Sequence, residues 1–307
     1  MRKPMRSSHK QPKFGEMANI VKLITGASLI SFSGVYVKWA HVEPLVSAFY
    51  RMFFGGIILL IFVFAIRERI RFSFVALAFA AAAGIAFSLD LMAWHRSILY
   101  IGPGLATILG NFQVFIMVFC GIVFFKERVG GRFVFSVLLA FVGLFFITGI
   151  QWHSYHPEYR TGIYLGLLTA VFYAIYLLIL RRSQQHPKSP SALASLAVIT
   201  AISAASMGLF AWGQGQSLAI PDRSSLFALL AYGVSSQFVG WWLIAKSMPL
   251  IKNSLGGFIL LLQPILSFVW DILLFDREVD EPTLVGLAIA LYAIYLGATT
   301  NQKRTKS

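Results

Sequence analysis

Lys38, Arg51 and Asp90 are charges set inside or at the edge of long apolar runs. A charge at the centre of a membrane-spanning helix costs about 3 kcal/mol on insertion scales, so Arg51 and Asp90 must face a partner or a polar cavity. Arg51, with Lys38, could receive a carboxylate or phosphate. Asp90 could pair with Arg51 or carry a coupling proton. A structural ion pair between Arg51 and Asp90 is the alternative, and for Lys38 so is a side chain that snorkels to the interface. The charged set lies in the first half of the chain, with no evident counterpart in the second.

Uncharged polar groups fall near the middle of other apolar runs: Asn111, Gln113, Ser235, Ser236, Gln237 and Gln263. Together they suit a solute pathway walled by Tyr36, Tyr173, Tyr176, Trp241 and Trp242; hydrogen bonding between helices is the plainer use of any one amide. Glu127 and Glu278, each beside a basic residue at the end of an apolar run, are candidates for a gate, or are solvated helix ends. Gly102-Pro103-Gly104 reads as a turn or a hinge.

The elements that must position these groups follow from hydropathy. With 58% hydrophobic and 12% charged residues and a mean hydropathy of +0.74, the chain is too apolar for one water-soluble core. Apolar runs bounded by Arg, Lys, Pro and Gly predict spans at 20–39, 44–66, 72–95, 102–125, 132–150, 161–180, 191–212, 224–246, 253–275 and 282–300. The expected fold is an all-α polytopic membrane protein with ten transmembrane helices. Residues 1–19 read as a disordered basic tail and 301–307 as a C-terminal tail.

The net charge of +14 comes in small clusters between apolar runs, which suits membrane topology and not nucleic acid. Arg67, Arg69 and Arg71, then Lys126, Arg128 and Arg132, then Arg181, Arg182 and Lys188 fall on one side. Single charges at Lys38, Arg96, Arg160, Arg223 and Arg277 fall on the other. By the positive-inside rule both termini are cytoplasmic, and a bacterial inner membrane is the expected location. Cys120 is the only cysteine, which excludes an intrachain disulfide framework.

The halves 20–150 and 161–300 repeat one another. His95 to Leu105 lines up with Ala245 to Leu255, and FQVFIMVFCGIVFFKER from Phe112 with LQPILSFVWDILLFDRE from Leu262. Five spans per half is an odd number, so the second half must enter the membrane inverted, a recurrent transporter plan.

Ser33 to Leu60, with its lysine-ended helix, Pro44 and Arg51, and the run from Gln263-Pro264 to Glu278 resemble the drug/metabolite transporter superfamily in its EamA-type ten-helix branch. Gln113 stands where that proline is usual in the first half. The resemblance implies alternating access between two halves, with no cofactor, for amino acids, nucleosides, sugar-linked metabolites or drugs. The expectation is a secondary transporter, in the export direction, of a small metabolite such as an amino acid, with a proton as a candidate coupling ion. A membrane-embedded enzyme such as a prenyl-diphosphate transferase would use the acidic stretch Asp276, Glu278, Asp280 and Glu281 for Mg²⁺, but no second acidic cluster, zinc motif, P-loop or nucleophile elbow accompanies it. A non-transporting scaffold would share the topology.

Overall fold

The computed structural model of the chain describes residues 13–68, 72–125, 130–149, 153, 155–184, 191–251 and 253–300. Glu127 and most of both tails lie outside them. Among the described residues every regular element is helical: α1 (Lys13–Ser31), α2 (Ser33–Trp39), α3 (Pro44–Ala65), α4 (Phe74–Gly110), α5 (Gln113–Phe125), α6 (Gly131–Leu144), α7 (Pro157–Gln184), α8 (Ala192–Gly213), α9 (Arg223–Ala231), α10 (Trp241–Ser247), α11 (Asn253–Leu260), α12 (Leu262–Phe275) and α13 (Glu281–Thr300). Wide π-helical turns follow α6 at Phe145–Gly149 and join α9 to α10 at Tyr232–Gly240.

Starts are marked by local chemistry. Pro44 opens α3, where its missing N–H costs nothing. Ser73, Ser191 and Asp222 accept from Ala76 N at 3.2 Å, Ala194 N at 3.1 Å and Ser225 N at 2.7 Å. The Asp222 carboxyl, in the connection before α9, is held below the usual carboxylate range by Ser224 Oγ and Ser225 N.

Seven helical runs among the described residues are long and apolar enough to cross a membrane, and Gly131–Ile147 and Glu281–Gly297 are shorter apolar helices. Their outer faces carry Phe64, Phe124, Phe227 and Trp212, all largely exposed, as a protein bathed in lipid requires.

Boundaries differ from expectation in three places. The first helix begins at Lys13, inside the segment expected to be a disordered tail. The connection expected between 95 and 102 is helical, so that one run extends from Phe74 to Phe124; Gly102 (φ 81, ψ 160) kinks it, and its ladder breaks at Asn111–Phe112, inside the expected fourth span. The expected ninth span breaks likewise at Leu261. Breaks within a span are tolerated where protein or a polar cavity, and not lipid, surrounds the freed backbone groups.

Halves of the chain meet closely where α3 crosses the π-helical segment. A Cβ on Gly233 would lie 2.8 Å from Gly55 N, and one on Gly55 would lie 2.5 Å from Gln237 Cγ. Backbone stands against backbone there, so neither position has room for a side chain. Gly233→Leu is expected to lower stability by about 2 to 3 kcal/mol through overpacking, read as a reduced Tm of the detergent-solubilised protein; an unchanged Tm would contradict this packing.

Candidate functional site

The Gly55–Gly233 crossing delivers Arg51 to its partners. Arg51 lies one turn before Gly55 on α3 and is 5% exposed. Its Nε donates to Gln237 Oε1 at 3.1 Å and its Nη1 to Tyr232 Oη at 3.0 Å. The guanidinium also stands 5.0 Å from the centre of the Tyr232 ring, a cation–π contact. Both partners sit on the π-helical segment, whose wider turn carries Tyr232 and Gln237 together to one arginine.

Behind Arg51 the network continues. Tyr232 Oη lies 3.2 Å from His95 Nε2, and His95 Nδ1 lies 2.7 Å from Leu91 O. A carbonyl can only accept, so Nδ1 carries the proton. Nε2 is then free to accept from the tyrosine hydroxyl, whose oxygen in turn accepts from Arg51. Gln237 Nε2 donates to Thr200 Oγ1 at 3.3 Å. His95 and Gln237 are wholly buried, so the chain of bonds holds the guanidinium in one orientation. Arg51 has no ion pair among the described residues.

In front of Arg51 lies a cavity of about 350 Å³, within the range of small-molecule sites. Asp90 of α4, 5% exposed, lines it from another wall. It makes no hydrogen bond or ion pair among the described residues. The expected alternative of an Arg51–Asp90 ion pair is therefore not what the structure contains: the arginine is committed to Gln237 and Tyr232.

Asn111, Gln113, Tyr173, Trp241 and Gln263, named from the sequence as candidates, also line the cavity. Gln113 and Gln263 occupy matching positions in the two halves, each at the first turn of a helix restarted after a break. Gln113 Oε1, Trp241 Nε1 and Thr169 Oγ1, on three of the lining residues, are buried and without a hydrogen-bond partner among the described residues. Phe87, Trp94 and Tyr173 supply aromatic walls.

Other expected residues stand behind the wall or away from it. Gln237 positions Arg51. Tyr176 stacks on Phe87 with ring centres 4.7 Å apart. Tyr36 packs 5.8 Å from the Tyr232 ring and accepts from Ser235 Oγ at 3.3 Å. Glu278 is exposed and makes no ion pair among the described residues.

Lys38 is displaced furthest from expectation. Its Nζ lies 3.7 Å from Asp271 Oδ1 of α12 and 4.3 Å from the centre of the Phe275 ring, so it serves neither Arg51 nor the interface alone. Lys38 thus has an ion-pair partner in the second half. Ser31, Ser33, Trp94, Thr107, Thr169 and Ser267 line the cavity unforeseen. Hydroxyls are common in apolar helices as backbone-bonded residues, and nothing local distinguishes those that face a cavity.

Comparison with known proteins bears directly on this arrangement. The sequence matches the EamA-like transporter family over residues 17–149 and again over residues 160–299. The chain belongs to the EamA-like transporter family. Two matches in tandem make it a two-repeat protein, and its apolar helices make it an integral membrane protein of a family that transports small solutes. A solved structure described only as "Crystal structure of protein" is similar with a TM-score of 0.64 at 15% identity, covering 94% of this chain and 99% of its own. At that identity the likeness concerns the fold alone. No curated protein matches the chain. Within the EamA-like architecture the cavity draws its lining from both repeats, from α1 to α5 on one side and α7 and α10 to α12 on the other.

Proposed function

We propose that this EamA-like protein is a secondary transporter of small zwitterionic solutes such as amino acids, working by alternating access between two inverted five-helix repeats. The observation that carries the reading is the pair of buried, opposite charges, Arg51 and Asp90, which line one cavity without pairing with each other. Each charge is taken out of water and lacks a counter-ion among the described residues, a costly state that a bound solute with one carboxylate and one ammonium would relieve at both ends. Arg51, with two of its nitrogens already occupied, presents Nη2 to the carboxylate. Asp90 would accept from the ammonium or, without a solute, hold a coupling proton. The aromatic walls, and the unpartnered groups of Gln113, Trp241 and Thr169 once their side chains turn inward, would meet the remainder of the solute.

Splitting the kinked run Phe74–Phe124 at its break and adding the two shorter apolar helices yields ten spans. An even number, with the clustered Lys and Arg on one side, supports both termini in the cytoplasm of a bacterial inner membrane.

Purified protein in liposomes, loaded in turn with labelled amino acids, nucleosides and sugar phosphates, tests the reading. Saturable flux of at least one amino acid is expected, at about tenfold or more above solutes that lack either charge, the discrimination of roughly one charge-assisted contact. Gradients imposed in each direction determine whether export, the direction expected from the sequence, is preferred. Absence of flux for every solute class would sink the proposal.

A further inference from the structure

A second buried charge cluster lies one helical turn beyond the cavity. Asp271 of α12, 1% exposed, accepts from Arg277 Nη1 at 3.0 Å and from Gly104 N at 3.2 Å, and lies 3.7 Å from Lys38 Nζ. Arg277 also donates to Ile101 O at 2.6 Å and to Tyr159 Oη at 3.4 Å. One carboxylate therefore ties α12 of the second repeat to α2 and to the Gly102–Gly104 kink of the first.

The cluster adjoins the cavity lining. Ser267, one turn before Asp271, lines the cavity with Thr107, and both hydroxyls bond Pro103 O, at 3.1 Å and 2.7 Å. Lys38, with 27% of its side chain exposed, reaches from the cluster towards the end of the bundle where α2 stops. A solute leaving the cavity towards that end would pass between α12 and the kink.

We infer that Lys38, Asp271 and Arg277 form a gate over this end of the cavity, and that a proton binding to Asp271 releases it. The charges explain why a single proton suffices. With Asp271 ionised, two cations share one anion and both repeats are drawn together. With Asp271 neutral, Lys38 and Arg277 lose the anion they share, and attraction gives way to like-charge repulsion. Among the described residues the charged or titratable groups facing Asp271 are Lys38 from α2 and Arg277 from the segment after α12, with Tyr159 of α7 reached through Arg277, and the kink contributes the Gly104 amide. Gly102, in a conformation suited to glycine, lets the kink lie directly against the carboxylate.

The inference rests on reading the cavity as a transport pathway, yet it is tested by access instead of flux, so a failed gate and an absent transport activity are distinguishable. In a Cys120→Ser background, Ser267→Cys reports the cavity and Ser217→Cys the exposed loop at the same end, where Tyr50 Oη of α3 donates to Leu218 O. Each is labelled with a membrane-impermeant thiol reagent from that end, and the ratio of the two rates removes the pH dependence of the reagent. The cavity-to-loop ratio is expected to rise about tenfold in the otherwise unaltered protein as the pH is lowered. Asp271→Asn should hold the ratio high at every pH, and Asp271→Asn with Lys38→Met, which removes the repulsion, should bring it back down. A ratio independent of pH in the protein that retains Asp271 would overturn the inference even if the asparagine variant did not fold. An unchanged ratio in folded Asp271→Asn would do so as well.

Discussion

Asp90→Asn is expected to reduce flux of a transported amino acid about 100-fold, while the deaminated analogue, which keeps only the carboxylate, loses little. Asp90 lines the cavity with no ion pair among the described residues, so its side chain is available to the ammonium, and asparagine removes the charge at nearly constant volume. Loss of one partner from a desolvated charge pair costs about 3 kcal/mol or more, and 1.4 kcal/mol is a factor of ten. Arg51→Lys should act on both solutes alike. Lysine cannot reproduce the fork that bonds Gln237 and Tyr232 while leaving a nitrogen for the solute. The measurement is initial uptake of the two solutes into liposomes. Equal losses for both in Asp90→Asn would show that Asp90 does not meet the ammonium, and full activity in both variants would dissociate transport from this charge pair. Because Arg51 and Asp90 are not paired to each other, neither change leaves the other as a newly orphaned ion, which separates a transport defect from a folding one.

Gly102→Val is expected to be the most destabilising single substitution in the first repeat. At φ 81 and ψ 160 the backbone occupies a region open essentially to glycine alone, at a cost of about 1 to 3 kcal/mol for any other residue. A Cβ there would also collide with the Asp271 carboxylate and come within 2.9 Å of Arg277 Nη1, and valine adds two methyl groups to that collision. The helix cannot relieve it by moving away, since Pro103 and Gly104 are bound to Ser267 and Asp271 on the next helix. A loss of more than about 3 kcal/mol in total should appear as poor folded yield and a Tm in detergent lower by roughly 10 °C. Gly257→Ala is the control. Its Cβ would meet nothing within 4 Å, and replacing a helical glycine in open space should be neutral or slightly stabilising. Similar Tm values for both variants would refute the assignment of strain and contact to Gly102.

How much of this was legible in the sequence depends on the range of the interaction involved. Arg51 and Asp90 could be singled out because a charge in an apolar run violates a local rule that any reader of the sequence can apply. Gln113 and Gln263 stood out as amides within apolar runs, and the structure places both on the cavity. Lys38 could not be assigned, since its neighbour in the sequence is Trp39 and its neighbour in space is Asp271. Tyr232 and His95 carried no signal at all: a tyrosine near a span end and a histidine near another are common, and only the crossing of α3 over the π-helical segment makes them the support of Arg51. The Asn111–Phe112 break was missed for a similar reason. Hydropathy runs through it without change, and the helix stops there because cavity and protein surround it where lipid would otherwise be.

Hydropathy, the clustering of Lys and Arg, and the internal repeat determined by themselves that this is a helical membrane protein of two repeats, because partition into lipid depends on composition summed over a span and scarcely on its neighbours. Which buried charge meets which partner was decided only by the tertiary structure. Arg51 bonds Tyr232 and Gln237, Lys38 meets Asp271, and Asp90 is left to the cavity, since each outcome depends on how closely glycine-lined helices from the two repeats approach and on where their ladders break.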